Sequence, residues 1–164
     1  MKKQHFIFDK NQIQKITKFF IKNIFKKTIN KNALVIGLKG NLGAGKTTFV
    51  QALAKELGIK NKILSPTFVI MRRFQVSDFR FQHFYHFDCY RIKKLKEILD
   101  LEFKKIISNS KNIVIIEWAD KIKKILPKNT IWLKFSFFDE KTRKVIISKK
   151  GVRLPSTKWK IKNV

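Results

Sequence analysis

The feature that most constrains this chain is a glycine-rich loop between an apolar segment and a helical one. Residues Gly40–Thr47 read GNLGAGKT and meet the pattern G-x-x-x-x-G-K-[ST]. The apolar segment Ala33–Leu38 precedes the loop, and an amphipathic segment from about Thr47 to Leu57 follows it. Glycines let several backbone N–H groups point at one anion, and the dipole of the following helix attracts the same charge. The arrangement predicts a phosphate-binding loop for a nucleoside triphosphate.

Two side chains of this loop have defined roles in such a site. Lys46 can reach the β- and γ-phosphates, and the Thr47 hydroxyl can ligate Mg²⁺. We therefore expect ATP and Mg²⁺ as ligands. A glycine turn that binds nothing is the alternative, but it does not explain why a lysine, Lys46, lies at a buried helix start. The residues expected to contact the nucleotide are Leu42, Gly43, Ala44, Gly45, Lys46, Thr47 and Thr48.

A second acid near the metal is expected at the end of a neighbouring buried strand. The segment Ile113–Glu117, IVIIE, supplies it, with Glu in place of the commoner Asp. Glu117 could hold Mg²⁺ directly or through water, or polarise the attacking water. An ordinary surface acid at a strand end is the alternative. We favour the functional interpretation and predict Thr47 and Glu117 as the metal site.

The segment His86–Arg91, HFDCYR, concentrates polar groups at another strand end. Asp88 is a candidate for an indirect metal contact or for the general base, and Arg91 could neutralise phosphate charge. A structural pair of Asp88 and Arg91, with Tyr90 packed over it, explains the spacing equally well. We carry Asp88 forward with Glu117 as a predicted catalytic residue.

A zinc site is possible on paper from His83, His86 and Cys89. Strand alternation sends His83 and His86 to opposite faces, so the sequence disfavours it. Two other residues keep both interpretations open. Thr67 could sense the γ-phosphate or be a turn residue. Trp118 could lie beside the nucleotide, at an interface or in the core.

The order of the segments predicts an α/β fold, a P-loop NTPase-like mixed β-sheet flanked by helices in a single domain. We expect one domain over residues 1–164, with about 149–164 as a candidate mobile basic tail. The remaining elements expected are a helix over 12–25 with Ile13, Ile16, Phe19, Phe20 and Ile24 on one face, a hairpin of Phe68–Phe74 with Phe81–Asp88 around Val76–Asp78, a helix from about Leu95 to Ile107, and a hairpin of Ile131–Phe137 with Lys144–Ser148.

The formal net charge of +27 has two explanations. Such a basic surface favours binding to nucleic acid or to a membrane surface. Compositional drift is the alternative, because Lys, Asn, Ile and Phe are abundant together and all use A/T-rich codons. The charge runs along the whole chain, which argues against one dedicated basic tail. We interpret drift as the main cause, although a polynucleotide could exploit the resulting field.

The compartment is predicted from what the sequence lacks. A single cysteine, Cys89, excludes an internal disulfide. No apolar run is long enough for a bilayer span, and the N-terminus lacks the pattern of a signal peptide. We expect a cytoplasmic protein with no membrane partner.

Four segments in order between Gly40 and Trp118 resemble one family closely. GNLGAGKTTF, SPTF, HFDCYR and IVIIEW resemble the TsaE (YjeE) family, small bacterial P-loop ATPases needed for tRNA threonylcarbamoyladenosine biosynthesis. The resemblance implies ATP hydrolysis within a complex of the transferase subunit and its paralogous partner, of the TsaD and TsaB type, with tRNA in the complex. It also implies that Asp88, Glu117 and Trp118 are needed for activity and that Thr67 is the switch-type residue.

This sequence departs from the family pattern in three places. The family usually has Asp after the first loop glycine, where this chain has Asn41. The family commonly carries a glycine in the helix after the HFDCYR segment, and ILDLEFKK has none. A nucleotide-contacting arginine near the last hairpin is matched only loosely, by Lys141 or Arg143. We expect altered nucleotide affinity or turnover from the first change and an altered partner interface from the second.

Two other functions compete with a partner-dependent ATPase. A small-molecule kinase on a P-loop fold is the first. Such kinases usually carry a lid with one or more arginines, whereas this sequence has few arginines and no obvious lid segment. A nucleic-acid-binding module with a vestigial loop is the second, supported by the net charge alone. The intact Lys46, Thr47 and Glu117 argue against this second alternative.

Overall fold

Seven strands form one mixed sheet in the computed structural model, which describes residues 3–25, 31–61, 63, 69–76 and 80–148. Their order across the sheet is β1-β7-β6-β2-β5-β4-β3. The four central strands, β6, β2, β5 and β4, run parallel, and the pairs toward both edges are antiparallel. This arrangement confirms the predicted fold class. The strands are β1 Lys3–Phe8, β2 Leu34–Lys39, β3 Met71–Gln75, β4 His83–Asp88, β5 Asn112–Glu117, β6 Ile131–Phe137 and β7 Arg143–Ser148.

Helices cover both faces of the sheet. On one face, α1 (Ile13–Phe20) and α2 (Lys46–Glu56) pack against each other and the sheet, with Phe49 between Phe20 and Phe135. On the other face lie α3 (Lys96–Leu99), α4 (Phe103–Ser108) and a 3₁₀ segment, Ala119–Ile125. Alternate residues of β2 enter the two resulting cores, and this confirms the predicted burial of that strand on both faces.

The helix predicted from Leu95 to Ile107 is wrong. The chain forms two short helices instead, and Glu102 between them takes the left-handed conformation with φ of 55°. Ile98 and Phe103 are both fully buried in the same cluster. Five positions along one continuous helix would turn these side chains about 140° apart, so the break lets both reach the core.

Several other boundaries differ from the prediction. The N-terminal strand β1 and the 3₁₀ segment Ala119–Ile125 were not predicted, and the first helix ends at Phe20 in a π-helical turn, Ile21–Phe25. Both hairpins are confirmed as antiparallel pairs, β3 with β4 and β6 with β7. Parts of the prediction lie outside the described residues: the Ile24 side chain, Ser65–Phe68 with Thr67, most of the turn at Val76–Asp78, and 149–164.

Phe49 gives a direct test of this packing. We expect Phe49→Ala to lower the free energy of unfolding by about 3–5 kcal/mol, because it empties a fully buried position between α1, α2 and the sheet. The matched control is Phe138→Ala, since Phe138 is 56% exposed. Urea unfolding followed by circular dichroism measures both. Equal losses for the two variants would contradict the described core.

Candidate functional site

The loop after β2 passes very close to strand β6. A Cβ on Gly40 would lie 2.1 Å from the carbonyl oxygen of Phe135, and Gly40 has φ of 136°. Only glycine fits this position. Gly45 stands immediately before α2 with φ of 97° and open space where a side chain would project. Among the described residues, nothing fills the space beside Gly45 at the start of α2, where an anion-binding loop would receive its ligand.

Lys46 is folded back onto the loop. Its ammonium donates hydrogen bonds to the carbonyl oxygens of Gly40 and Asn41, both at 2.8 Å, and lies 4.0 Å from the centre of the Trp118 ring. Burial lowers the pKa of Lys46, and the nearby carboxylates of Glu117, Asp88 and Asp120 act in the opposite direction. Thus a buried cation lies beside the place where the loop would receive phosphate.

Thr47 and Glu117 join the loop helix to the end of β5. The Thr47 hydroxyl donates to the Glu117 Oε2 atom at 2.9 Å, across 70 positions of sequence. Glu117 is only 2% exposed. The parallel pairing of β2 with β5 places Leu38 beside Glu117, so both strands end at the loop. The structure brings the two predicted metal-site residues into direct contact.

His86 completes this cluster from the neighbouring strand. Its Nε2 atom lies 2.9 Å from Glu117 Oε1, and its side chain is fully buried. The Nδ1 atom is buried and has no hydrogen-bond partner among the residues that the structure describes. These contacts favour the tautomer with the proton on Nε2, which donates to the carboxylate. This role of His86 was not predicted from the sequence; the available signal was that His86 shares a strand face with Asp88.

Asp88 and Trp118 flank the cluster. Asp88 ends β4 directly beside Glu117 in the parallel register. Its Oδ1 atom accepts a hydrogen bond from the Tyr90 N–H at 3.0 Å. Trp118, with φ of 56°, turns its ring between Lys46 and Tyr90. The ring also packs against the core cluster that contains Phe87, so the structure places Trp118 both beside Lys46 of the predicted loop and against the core.

The other predicted residues are distributed around the loop. Ala44 is buried, whereas Leu42 and Thr48 are exposed. Phe137, not predicted from the sequence as a site residue, lies beside Gly43, with its Cζ atom 3.6 Å from where a Gly43 Cβ would be. Arg143 stacks on the same ring at 4.5 Å. An exposed aromatic side chain and a cation thus border the loop at the end of β6.

The proposed zinc ligands do not come together. His86 is hydrogen-bonded to Glu117, and Cys89 is buried in the apolar core, where burial raises the pKa of its thiol to about 12. A thiol with this pKa stays protonated at neutral pH and is a poor metal ligand. Within the described ranges, no group of three His, Cys, Asp or Glu side chains could hold a metal ion.

The chemistry of the cluster suits Mg²⁺ bound together with a triphosphate. A hydroxyl and a carboxylate are the hard oxygen ligands that Mg²⁺ prefers, and Mg²⁺ takes its other ligands from phosphate and water. Thr47 and Glu117 offer this pair at the mouth of the loop, and the adjacent loop backbone offers the phosphate contacts. The residues present therefore fit the predicted ligands.

Comparison with known proteins assigns the family. The family model for threonylcarbamoyl adenosine biosynthesis protein TsaE matches residues 9–145. The chain belongs to the TsaE family. Two relatives are the tRNA threonylcarbamoyladenosine biosynthesis proteins TsaE of Rickettsia typhi and Aquifex aeolicus. The first is 36% identical over 139 residues, covering 84% of this chain and 92% of its own length; the second is 37% identical over 122 residues, covering 73% and 80%.

A solved structure supports the fold of this TsaE-family chain. The crystal structure of YdiB from Bacillus subtilis superposes with a TM-score of 0.65 at 24% identity, over 92% of this chain and 87% of that one. The family match spans the loop, His86, Asp88, Glu117 and Trp118, so it confirms the resemblance stated from the four segments. None of the helices described here has both the length and the apolar character needed to span a membrane.

The contact between His86 and Glu117 can be tested by a double-mutant cycle. We expect His86→Leu or Glu117→Leu alone to lower the free energy of unfolding by about 1–3 kcal/mol, because each leaves a buried polar partner unsatisfied. The double variant should cost less than the sum of the two, since it removes both polar groups. Urea unfolding of all four proteins measures the coupling. Additive losses would show that the two side chains do not interact.

Proposed function

We propose that this chain binds and hydrolyses ATP with Mg²⁺ as a component of tRNA threonylcarbamoyladenosine biosynthesis. The observation that carries the proposal is the hydrogen bond between Thr47 and Glu117, because it unites the loop hydroxyl and the strand-end acid of a P-loop hydrolase. The two relatives from Rickettsia typhi and Aquifex aeolicus are named as tRNA threonylcarbamoyladenosine biosynthesis proteins.

Nucleotide binding would use the loop backbone and Lys46. The N–H groups around Gly43 and Gly45 and the start of α2 supply partial positive charge for the phosphates. Lys46 would exchange its two carbonyl acceptors for phosphate oxygens, which form stronger, charge-assisted hydrogen bonds. The proposed contacts are those expected from the sequence, Leu42 to Thr48.

Thr47 and Glu117 would hold the metal, and His86 would keep the Glu117 carboxylate oriented. When bound, Mg²⁺ neutralises phosphate charge. Asp88, at the neighbouring strand end, would orient the attacking water and accept its proton. This assignment gives the two predicted catalytic residues, Asp88 and Glu117, separate tasks.

Partners would control the reaction. We propose that the chain acts on a complex of a transferase subunit and its paralogous partner, of the TsaD and TsaB type, in the cytoplasm. Asn41 gives the loop one negative charge fewer than the usual Asp, and its carbonyl already accepts from Lys46. Slow hydrolysis by the isolated chain, accelerated by the partner pair and tRNA, is the expected behaviour.

Lys46→Ala tests nucleotide binding. We expect at least about a hundredfold loss of affinity for ATP with Mg²⁺, because the variant removes the cation at the β- and γ-phosphate position. Isothermal titration calorimetry measures the dissociation constant. Lys104→Ala is the control, since it removes an equal charge from an exposed position on α4. Unchanged affinity in Lys46→Ala would contradict the assigned site.

Glu117→Gln separates binding from hydrolysis. We expect the variant to retain ATP binding but to lose at least about a hundredfold in turnover, because the neutral amide is a weaker Mg²⁺ ligand than the carboxylate. Phosphate release is measured for the chain alone and with the transferase pair and tRNA. Glu140→Gln, in the exposed β6–β7 turn, is the control. Transfer of phosphate to a small acceptor, instead of hydrolysis, would support the kinase alternative.

A further inference from the structure

A strip of lysines lies on the solvent side of the α1–α2 layer. Lys15, Lys18 and Lys22 follow one another along α1 and the π-helical turn at the spacing i, i+3 and i+7, and all three are exposed. On an α-helix this spacing keeps side chains on one side. The opposite side of α1 carries the buried residues Ile13, Ile16, Thr17 and Phe20.

Helix α2 extends this strip. Phe20, at the end of α1, contacts Phe49 in the first turn of α2 with ring centres 5.7 Å apart, so the helices lie side by side on one face of the sheet. Lys55, near the end of α2, and Lys60, after it, are both exposed. These two lysines border an open groove of about 720 Å³, which Gln51 and Asn61 also line. We call Lys15, Lys18, Lys22, Lys55 and Lys60 the basic face.

The basic face lacks neutralising acids. Across the stretch from Lys10 to Lys62 the sequence holds twelve lysines and one acidic residue, Glu56. No described residue forms an ion pair with any of the five lysines. On the opposite layer, Lys96 pairs with Asp100 and Lys105 with Glu102. Within the described ranges, the five lysines of the basic face therefore have no ion-pair partner.

Compositional drift does not produce this asymmetry. A bias toward A/T-rich codons explains why lysine is abundant, but the Asp codon GAT and the Glu codon GAA contain a single G and remain available. The chain does use acids elsewhere: nine of its eleven follow Val76. Between Lys10 and Lys62, the stretch that contains α1 and α2, Glu56 is the one acid in the sequence, so the exposed lysines of this layer form a positive strip, which attracts a polyanion.

We infer that the basic face binds the sugar-phosphate backbone of tRNA. A phosphate backbone presents regularly spaced negative charges, and the strip of α1 spans about 10 Å, which reaches more than one phosphate. The apolar side of α1 is buried in the core, so the helix has no apolar face to insert into a lipid surface. The choice of tRNA over other polyanions rests on the proposed function.

The test compares two variants with equal loss of charge. Lys15, Lys18 and Lys22 are replaced together by Gln, and binding of a fluorescently labelled, unmodified tRNA transcript is followed by anisotropy without nucleotide. We expect at least about a tenfold weaker affinity at about 100 mM KCl. The negative slope of log affinity against log salt concentration should become shallower by about 2–3, because each phosphate contact contributes about −0.9 to that slope. Lys55→Gln with Lys60→Gln is a second variant on the same face and should weaken binding in the same direction.

The control variant replaces Lys93, Lys104 and Lys123 by Gln on the opposite layer, where all three are exposed. We expect less than about a twofold change in tRNA affinity. Equal weakening in the control would show diffuse attraction by the net charge and overturn the inference. Unchanged tRNA binding in both basic-face variants would overturn it too. Binding of the same variants to vesicles containing phosphatidylserine is measured in parallel. Loss of vesicle binding with unchanged tRNA binding would also overturn the inference and make the face a membrane contact.

ATP hydrolysis by the same variants separates this inference from the proposed function. The basic-face lysines lie outside the nucleotide site, so basal turnover should equal that of the unmodified chain. If the unmodified chain hydrolyses ATP but tRNA binding is insensitive to these lysines, only the basic face is wrong. If tRNA binding depends on the basic face while the unmodified chain neither binds nor hydrolyses ATP, the proposed function is wrong and the basic face stands.

Discussion

The Glu117 carboxylate is a buried acid whose two oxygens are held by different parts of the fold. Thr47, at the start of α2, donates to one oxygen, and His86, on β4, lies within hydrogen-bond distance of the other. A buried carboxylate without such partners would be strongly destabilising. The loop helix, β4 and β5 must therefore keep their relative positions for this acid to be tolerated, and the rest of the site is arranged around it.

The close approach of the loop to β6 adds a second constraint. Gly40 touches the backbone of Phe135 so closely that no side chain can be accommodated, and this contact fixes where the loop leaves β2. Lys46 then lies between the loop carbonyls, the Trp118 ring and the carboxylates at the ends of β4 and β5. The cation is held by groups that phosphate oxygens can replace, and this exchange links the geometry of the loop to nucleotide binding.

The two layers of helices differ in charge as well as in position. In the layer of α3, α4 and the 3₁₀ segment, lysines lie near acidic residues. Two ion pairs form there, Lys96 with Asp100 and Lys105 with Glu102. On the solvent side of the α1–α2 layer, the lysines of the basic face form no ion pair with a described residue. The apolar residues of this layer are buried in the core. A nucleotide site at the ends of the parallel strands and a polyanion surface on one helical layer would be separate features of the same small domain.

Local signals in the sequence determined the loop, its flanking strand and helix, the strand ending at Glu117 and the mixed α/β class. Those signals are short: a glycine pattern, an apolar run, an acid at its end. Other features depended on tertiary structure. The break at Glu102 follows from burying Ile98 and Phe103 together, β1 follows from pairing with β7, and the role of His86 follows from the parallel register of β4 and β5. Periodicity within one segment cannot reveal these, because each depends on a partner distant in sequence.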